Sequence, residues 1–110
     1  DAAWLRVNQF FVEQLAYIAQ KLDMIQEGES TALDNSMLLF CSSMLTGRHQ
    51  ANQLPVILLG GAGGKLQGGR VLDYLEKPNR KMCSLYLSML GKYDIHLEEF
   101  GDSQKKLEEV

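Results

Sequence analysis

The chain has few of the features that most directly indicate a function. Its 110 residues include two cysteines and two histidines, and its net charge is only -3, from 11 basic and 14 acidic side chains. So weak a charge gives no electrostatic footprint for nucleic acid or an acidic membrane surface, and we expect neither as a partner. The apolar stretches at residues 37–41 and 56–59 are far too short to cross a bilayer.

The two cysteines give little information on redox chemistry. Cys41 lies in a predicted buried strand and Cys83 on the apolar side of a predicted helix. We therefore interpret both as buried thiols that act as small hydrophobic side chains. Whether they form a disulfide stays open, because two positions in a sequence do not determine it.

The clearest pattern in the sequence predicts an amphipathic helix at the start of the chain. Apolar residues make up 45% of the sequence and charged residues 23%, which is typical of a single globular domain over residues 1–110. A stripe at intervals of three or four predicts a helix from about Ala3 to Asp23 or Gln26, with Gly28 as its stop. The stripe comprises Trp4, Val7, Phe11, Leu15, Ile18, Leu22 and Ile25. Leu5, Phe10 and Tyr17 widen it, so we expect a sheet on one side and a neighbour on the other.

Two apolar runs predict the sheet. Residues 37–42 and 54–59 are each typical of a strand covered on both faces, and we expect them to be parallel neighbours. Asn79 is the predicted N-cap of a helix that ends at Gly91, and the charged C-terminal tail is predicted to fray. The predicted fold class is α/β, a partial three-layer unit with a small, mostly parallel sheet flanked by helices. Because two strands are few for a self-sufficient sheet, we expect a C-terminal portion of a larger domain, or a chain that self-associates.

A glycine-rich loop is the first candidate binding site. Six of the ten residues from Gly60 to Gly69 are glycine, and Gly61, Gly63 and Gly64 could present amides to an anion. A phosphate-binding P-loop is not matched, because Leu59 and Leu66 stand where the motif requires glycine and serine or threonine. We favour a tightly folded or flexible connection over an anion site.

A polar loop after the first predicted strand is the second candidate site. Arg48, His49 and Asn52 are its candidate ligand-binding residues, and His49 is the one candidate metal ligand. A metal centre needs several converging ligands, and this loop supplies one histidine and no carboxylate, so a surface histidine is the favoured interpretation. No residue is predicted to be catalytic, since Ser42 and Ser43 lack the flanking glycines of a nucleophile elbow.

Several stretches together, in this order, support a family resemblance. They are residues 14–17, 27–28, 33–37, 54–61, 68–70, 85–90 and 100–103, which read QLAY, EG, LDNSM, LPVILLGG, GGR, LYLSML and FGDS. The chain resembles the C-terminal part of the bacterial domain-of-unknown-function family numbered 1552, which is distantly similar to alkaline phosphatase-like and sulfatase-like α/β proteins. The resemblance covers nearly the whole chain. It implies a longer, exported or periplasmic protein with a divalent metal in its full-length context.

The same resemblance implies that metal chemistry is weakened in this copy. Family members carry a loop rich in aspartate and histidine, whereas here Thr46 stands for an aspartate, and Gln50 and Ala51 for an aspartate and a histidine. Gly47, Arg48, His49, Leu54 and Pro55 carry over. For this chain alone we therefore expect no cofactor.

Three functions stay open from the sequence. The first is a non-catalytic domain with a binding or structural role. The second is the C-terminal part of a metal-dependent phosphatase-like or sulfatase-like hydrolase, whose other ligands lie on a missing N-terminal portion of the same protein. The third is a homo-oligomerisation module that buries Trp4, Phe10 and the wide apolar helix face against a second copy.

Overall fold

The computed structural model describes residues 2–110, which hold two α-helices and two small antiparallel sheets. The elements in chain order are α1 (Ala2–Asp23), β1 (Gln26–Glu27), β2 (Ser30–Thr31), β3 (Leu38–Cys41), β4 (Val56–Leu59), a 3₁₀ turn (Ala62–Gly64) and α2 (Met82–Lys92). The chain divides into two compact units, the first ending at Gly63 and the second running from Gly64 to Val110. Whether residues 1–110 form one domain stays a prediction.

The predicted fold class, with a mostly parallel sheet flanked by helices, is wrong. β1 pairs antiparallel with β2, and β3 pairs antiparallel with β4, so that Leu38 lies opposite Leu59 and Cys41 opposite Val56. The reason lies in the connection, because residues 42–55 form no helix and a parallel neighbour requires a crossover. The apolar runs predicted both strands correctly, but the pairing direction depends on residues outside them.

β3 and β4 are half-buried, whereas the sequence predicted strands covered on both faces. Leu38, Leu39 and Phe40 are each partly exposed, and so are Ile57 and Leu58. Cys41 at the end of β3 is exposed, so the prediction of a buried thiol there is wrong. Cys83 is half-buried, and both cysteines are free.

α1 ends at Asp23, and Gly28 serves the following hairpin instead of stopping the helix. Gly28 has a φ of 63° at the first position of the two-residue turn between β1 and β2, a backbone conformation that glycine adopts without steric cost. After β2, Thr31 and Asp34 cap the next turn reciprocally. The Asp34 amide donates to Thr31 Oγ1 at 3.2 Å, and the Thr31 amide donates to Asp34 Oδ2 at 2.9 Å.

In the second unit, α2 begins later than predicted. Its N-cap is Lys81, which makes no capping hydrogen bond with its side chain, and the predicted cap Asn79 has a different role. The Asn79 side chain accepts from Ser84 Oγ at 2.8 Å and donates to the Lys105 carbonyl at 3.2 Å. Asn79 thus links the start of α2 to the C-terminal segment.

The C-terminal segment, residues 100–110, is folded. The prediction that it frays is wrong. Phe100 and Ser103 exchange main-chain hydrogen bonds of 2.9 and 3.0 Å across a tight turn. Gly101 in that turn has a φ of 56°, and a Cβ there would lie 2.6 Å from Cys83 Sγ. The Tyr86 and Phe100 rings meet edge to face at 5.8 Å. These contacts place the segment against α2.

Candidate functional site

The loop around His49 is held together by its own hydrogen bonds. The Leu45 amide donates to the Gln50 carbonyl at 2.7 Å, and the His49 amide donates to the Thr46 carbonyl at 3.1 Å. Thr46 Oγ1 accepts from the Arg48 amide at 3.2 Å and donates to Gln50 Oε1 at 3.0 Å. His49 has a φ of 61°, a conformation in which histidine is several-fold enriched among non-glycine residues. The loop is therefore a locally ordered turn with an exposed imidazole.

The predicted metal ligand has no partners within the described chain. Within residues 2–110, no three histidine, cysteine or carboxylate side chains lie close enough together to hold a metal ion. Arg48, His49 and Asn52 are all exposed. The divalent cation therefore stays a prediction tied to the family resemblance.

The glycine-rich loop uses its amides for folding. The amides of Gly61 and Gly63 donate to the carbonyls of Leu33 and Asp34, at 3.2 and 2.9 Å. A Cβ at Gly61 would lie 2.5 Å from the Asp34 carbonyl oxygen, so the two backbones touch. The amides that an anion would need at Gly61 and Gly63 are thus occupied by main-chain acceptors. Gly64 begins the second unit and has a φ of 92°. A Cβ added there would have no atom within 4 Å.

Three buried serines, which the sequence did not identify as important, hold the C-terminal segment on α2. Ser84, Ser88 and Ser103 are 0%, 5% and 3% exposed. Ser88 Oγ donates to the Leu107 carbonyl at 2.7 Å and accepts from the Leu107 amide at 2.8 Å. Ser84 Oγ lies 2.6 Å from Ser103 Oγ. The available signal was the four-residue spacing of Ser84 and Ser88, which puts both hydroxyls on the apolar face of α2.

Each of these serine hydroxyls has a hydrogen-bond partner, so none is an unpaired buried polar group. Ser103 Oγ also accepts from the Lys105 amide at 3.3 Å, and Ser88 lies within 3.2 Å of the Ser84 carbonyl. A buried hydroxyl with a partner stabilises a fold, whereas a buried unpaired one is costly. The geometry of the cluster is therefore that of a structural contact, which holds the C-terminal segment on α2.

The second unit also has a hydrogen bond between Tyr74 and the penultimate residue. Tyr74 OH donates to Glu109 Oε2 at 3.1 Å, and Arg70 Nη1 donates to the Glu109 carbonyl at 2.8 Å. Burial raises the pKa of the Tyr74 phenol above its usual value, and the Glu109 contact raises it further. A main-chain hydrogen bond lowers the pKa of the Glu109 carboxyl, and the Tyr74 hydroxyl lowers it further. These contacts hold the end of the chain in place.

An open groove in the second unit is a weaker candidate. It has a volume of about 450 Å³ and lies beside Lys81, Glu99 and Lys105. Lys81 Nζ donates to the Asp102 carbonyl at 2.6 Å, and its ion pair with the Asp102 carboxylate is longer, at 3.9 Å. Because its charged groups are exposed and of both signs, the groove selects no particular ligand.

The feature that most departs from an ordinary globular protein is the surface of α1. Of its described residues only Leu15 is buried, and every residue from Ala2 to Gln14 is exposed. Eight large apolar side chains on the helix are between 44% and 68% exposed. They are Trp4, Leu5, Val7, Phe10, Phe11, Val12, Tyr17 and Ile18. Single exposed hydrophobic residues are normal on proteins, but a contiguous set marks an interaction surface.

The polar residues of α1 lie on more than one side of the helix. At 100° per residue, Arg6, Gln9 and Glu13 fall on one side, whereas Gln14 and Lys21 lie between apolar residues on another. No helix in residues 2–110 has both the length and the apolar character that a membrane span requires.

Models of known families, curated proteins and solved structures were compared with the chain, and none matches it. The resemblance to the domain-of-unknown-function family therefore stays a prediction. So do the exported location and the hydrolase function that it implies. The candidate site with the most support from geometry is α1, most of whose exposed apolar residues were predicted from the sequence to lie on a helix face.

Proposed function

We propose that this chain has a binding or structural role, and that it acts by burying α1 against a protein surface. The observation that carries the proposal is the exposure of the first half of α1, where Trp4 is 61% and Leu5 68% exposed. Each buried side chain of this size contributes about 1.5–3 kcal/mol relative to an exposed one. A protein surface that covered α1 would therefore gain a large part of its binding energy from this helix.

The small cores of the chain support the same role. In residues 2–110 the buried apolar side chains are Leu15, Ala32, Ala62, Leu85, Leu87 and Leu107. The chain has an accessible surface of 8213 Å² and a mass of 12.4 kDa. Two compact bodies of half that mass would together expose roughly 7,400 Å². The difference, on the order of 800 Å², is surface that a compact fold would cover.

The candidate residues of the other two sites add no competing chemistry. The backbone at His49 is engaged with Thr46, and the amides of Gly61 and Gly63 are engaged with main-chain carbonyls. Buried Ser88 is engaged with Leu107 on both its donor and its acceptor side. The binding role therefore has support from residues within this chain, whereas the hydrolase function is supported by the family resemblance alone.

The test measures whether α1 offers an apolar surface in the purified chain. A fluorescent anilinonaphthalene sulfonate dye is titrated into the chain and into Phe10→Ser/Phe11→Ser, with molecular mass recorded at the same concentrations. Gln9→Ser/Gln14→Ser is the matched control, since both glutamines lie on α1 and are exposed.

Either of two results supports the proposal. A monomer should bind the dye and lose most of that binding in the phenylalanine variant, or the wild-type chain should associate and the variant should not. The control should behave like wild type in both measurements. A wild-type monomer that binds no dye would overturn the proposal, because α1 would then offer no apolar surface.

A further inference from the structure

We propose that the peptide bond between Arg70 and Val71 is a cleavage site for an arginine-specific endopeptidase. The bond lies in the segment 67–73 of the second unit, in which all seven residues are exposed. Val71, directly after the bond, is 95% exposed, the highest value among the large apolar side chains of residues 2–110. The proposal concerns a modification of the chain and does not depend on the role of α1.

The main chain of this segment is available to a protease cleft. An extended peptide binds a cleft of this kind through its main-chain hydrogen bonds, while pockets for its side chains give specificity. Within residues 2–110, no main-chain group of residues 67–73 hydrogen-bonds to another main-chain group. A protease therefore binds the segment without first opening a helix or a strand.

Two glycines before the bond let the main chain take the extended form. Gly69 has a φ of 70°, in the left-handed region, whereas an extended strand requires a negative φ. Glycine moves between these regions without the steric cost that a Cβ imposes. A Cβ added at Gly68 or Gly69 would have no atom within 4 Å, so the space around both residues is open.

The side chain of Arg70 supplies the charge that such a protease recognises. In trypsin-like enzymes, an aspartate in the specificity pocket binds the basic residue before the cut. In the chain, Arg70 Nε donates to the Gln67 carbonyl at 3.1 Å and Nη1 to the Glu109 carbonyl at 2.8 Å. Both acceptors are neutral carbonyls of exposed residues, and a carboxylate accepts more strongly from a guanidinium than a neutral carbonyl does.

The other three arginines lie where the main chain is held by hydrogen bonds. Arg6 is inside α1. The amide that follows Arg48 donates to the Thr46 carbonyl at 3.1 Å within a tight turn. Arg80 precedes Lys81, the N-cap of α2, whose carbonyl accepts from the first turn of that helix at 3.1 Å. Arg70 is thus the arginine whose neighbouring main chain is least constrained.

The reaction is a hydrolysis. Water adds across the bond, the C–N bond breaks, and the products carry a carboxylate on Arg70 and an amine on Val71. The hydrogen bonds between Ser88 and Leu107, which hold the C-terminal segment on α2, lie entirely within the second product, residues 71–110. The cut therefore separates α1 from α2 in the covalent chain and leaves the contacts of α2 with the C-terminal segment in place.

The experiment treats the folded wild-type chain with a small amount of clostripain, an endopeptidase that cleaves after arginine, and follows the products by mass spectrometry. Residues 1–70 and 71–110 should appear first. The bond after Arg70 should be cut at least about 10-fold faster than the bond after Arg48, because a hydrogen-bonded site must open before it is cut. The Leu107 amide should stay protected from hydrogen exchange after the cut.

Two variants and a control complete the test. Arg70→Gln removes the recognised charge, and Val71→Pro keeps it but puts a proline ring at the nitrogen of the bond, so both should lose the first cut. Arg48→Gln is the matched control and should be cut after Arg70 at the wild-type rate.

Three results would overturn the proposal. The first is an initial cut after another arginine in the folded wild-type chain. The second is cleavage after all four arginines at equal rates, which would report unfolding of the whole chain. The third is no cut after Arg70 in the time in which the denatured chain is fully digested.

Discussion

Replacing Ser88 by alanine tests whether hydroxyl groups hold the C-terminal segment on α2. The Ser88 hydroxyl bonds both the amide and the carbonyl of Leu107, at 2.8 and 2.7 Å, and Ser88 is 5% exposed. Alanine fills nearly the same space but leaves both main-chain groups without this partner. An unsatisfied buried polar group costs about 1–3 kcal/mol. The Leu107 amide keeps a longer contact of 3.4 Å to the Ser84 carbonyl, and the Leu107 carbonyl keeps one of 3.4 Å from the Val110 amide, so each group loses only part of its hydrogen bonding.

We therefore expect Ser88→Ala to lower the free energy of unfolding by about 2 kcal/mol and the melting temperature by roughly 5–15 °C. Denaturant unfolding followed by circular dichroism measures the first quantity, and amide hydrogen exchange at Leu107 reports the segment directly. Gln104→Ala is the control in the same unit, because its side chain is exposed and makes a single long contact of 3.5 Å to Glu99. It should change the free energy of unfolding by less than about 0.5 kcal/mol.

Two results would contradict a role for the Ser88 hydroxyl: unfolding of Ser88→Ala like wild type, or free exchange of the Leu107 amide in the wild-type chain. In either case the segment would not be held by the serine hydroxyl. A loss of stability with unchanged protection at Leu107 would also count against it, since the effect would then come from elsewhere in α2.

Two further predictions concern the glycine-rich loop and the tyrosine contact. Gly60→Ala should destabilise the fold by more than about 2 kcal/mol in denaturant unfolding, because Gly60 has a φ of 99° and a Cβ there would press on the Ser36 carbonyl oxygen. Gly47→Ala, where nothing lies within 4 Å of an added Cβ, should be nearly neutral, and equal effects at both positions would contradict this account. The pKa of Tyr74, raised chiefly by burial, should decrease partway toward 10.0 in Glu109→Gln when tyrosine ionisation is followed by ultraviolet absorbance. Because the folded-state pKa is raised, the contribution of Tyr74 to stability is complete below its unfolded pKa and is lost as pH rises through the folded pKa. A Tyr74 titration that is the same in Glu109→Gln as in wild type would argue against the contact.

The sequence predicted the elements whose signals are local. The helix expected from about Ala3 is present as Ala2–Asp23, because a stripe at intervals of three and four depends only on residues within the helix. The two apolar runs likewise coincide with β3 and β4. The width of the apolar face on α1 was also visible, together with the expectation that a neighbour covers it.

The features that the sequence could not predict depend on contacts between distant residues. Antiparallel pairing of β3 with β4 follows from the path of the loop between them, which no period within either strand determines. The tail was expected to fray because its residues are polar and charged, yet its main chain bonds to Ser88, nineteen residues before Leu107. Asn79 has the chemistry of an N-cap, but its side chain is engaged by Ser84 and Lys105. Non-local hydrogen bonds decided each of these outcomes.

The way in which Ser88 holds Leu107 sets different tolerances for the composition and the length of the C-terminal segment. The serine contacts main-chain atoms, which every amino acid has, and the side chains of residues 104–106 and 108 are exposed. Most substitutions at those positions should be accepted. An insertion or deletion between Ser103 and Leu107 would instead move Leu107 away from Ser88 while Ser103 stays beside Ser84. The segment should thus tolerate substitutions but not changes in length, whereas exposed loops usually tolerate insertions and deletions.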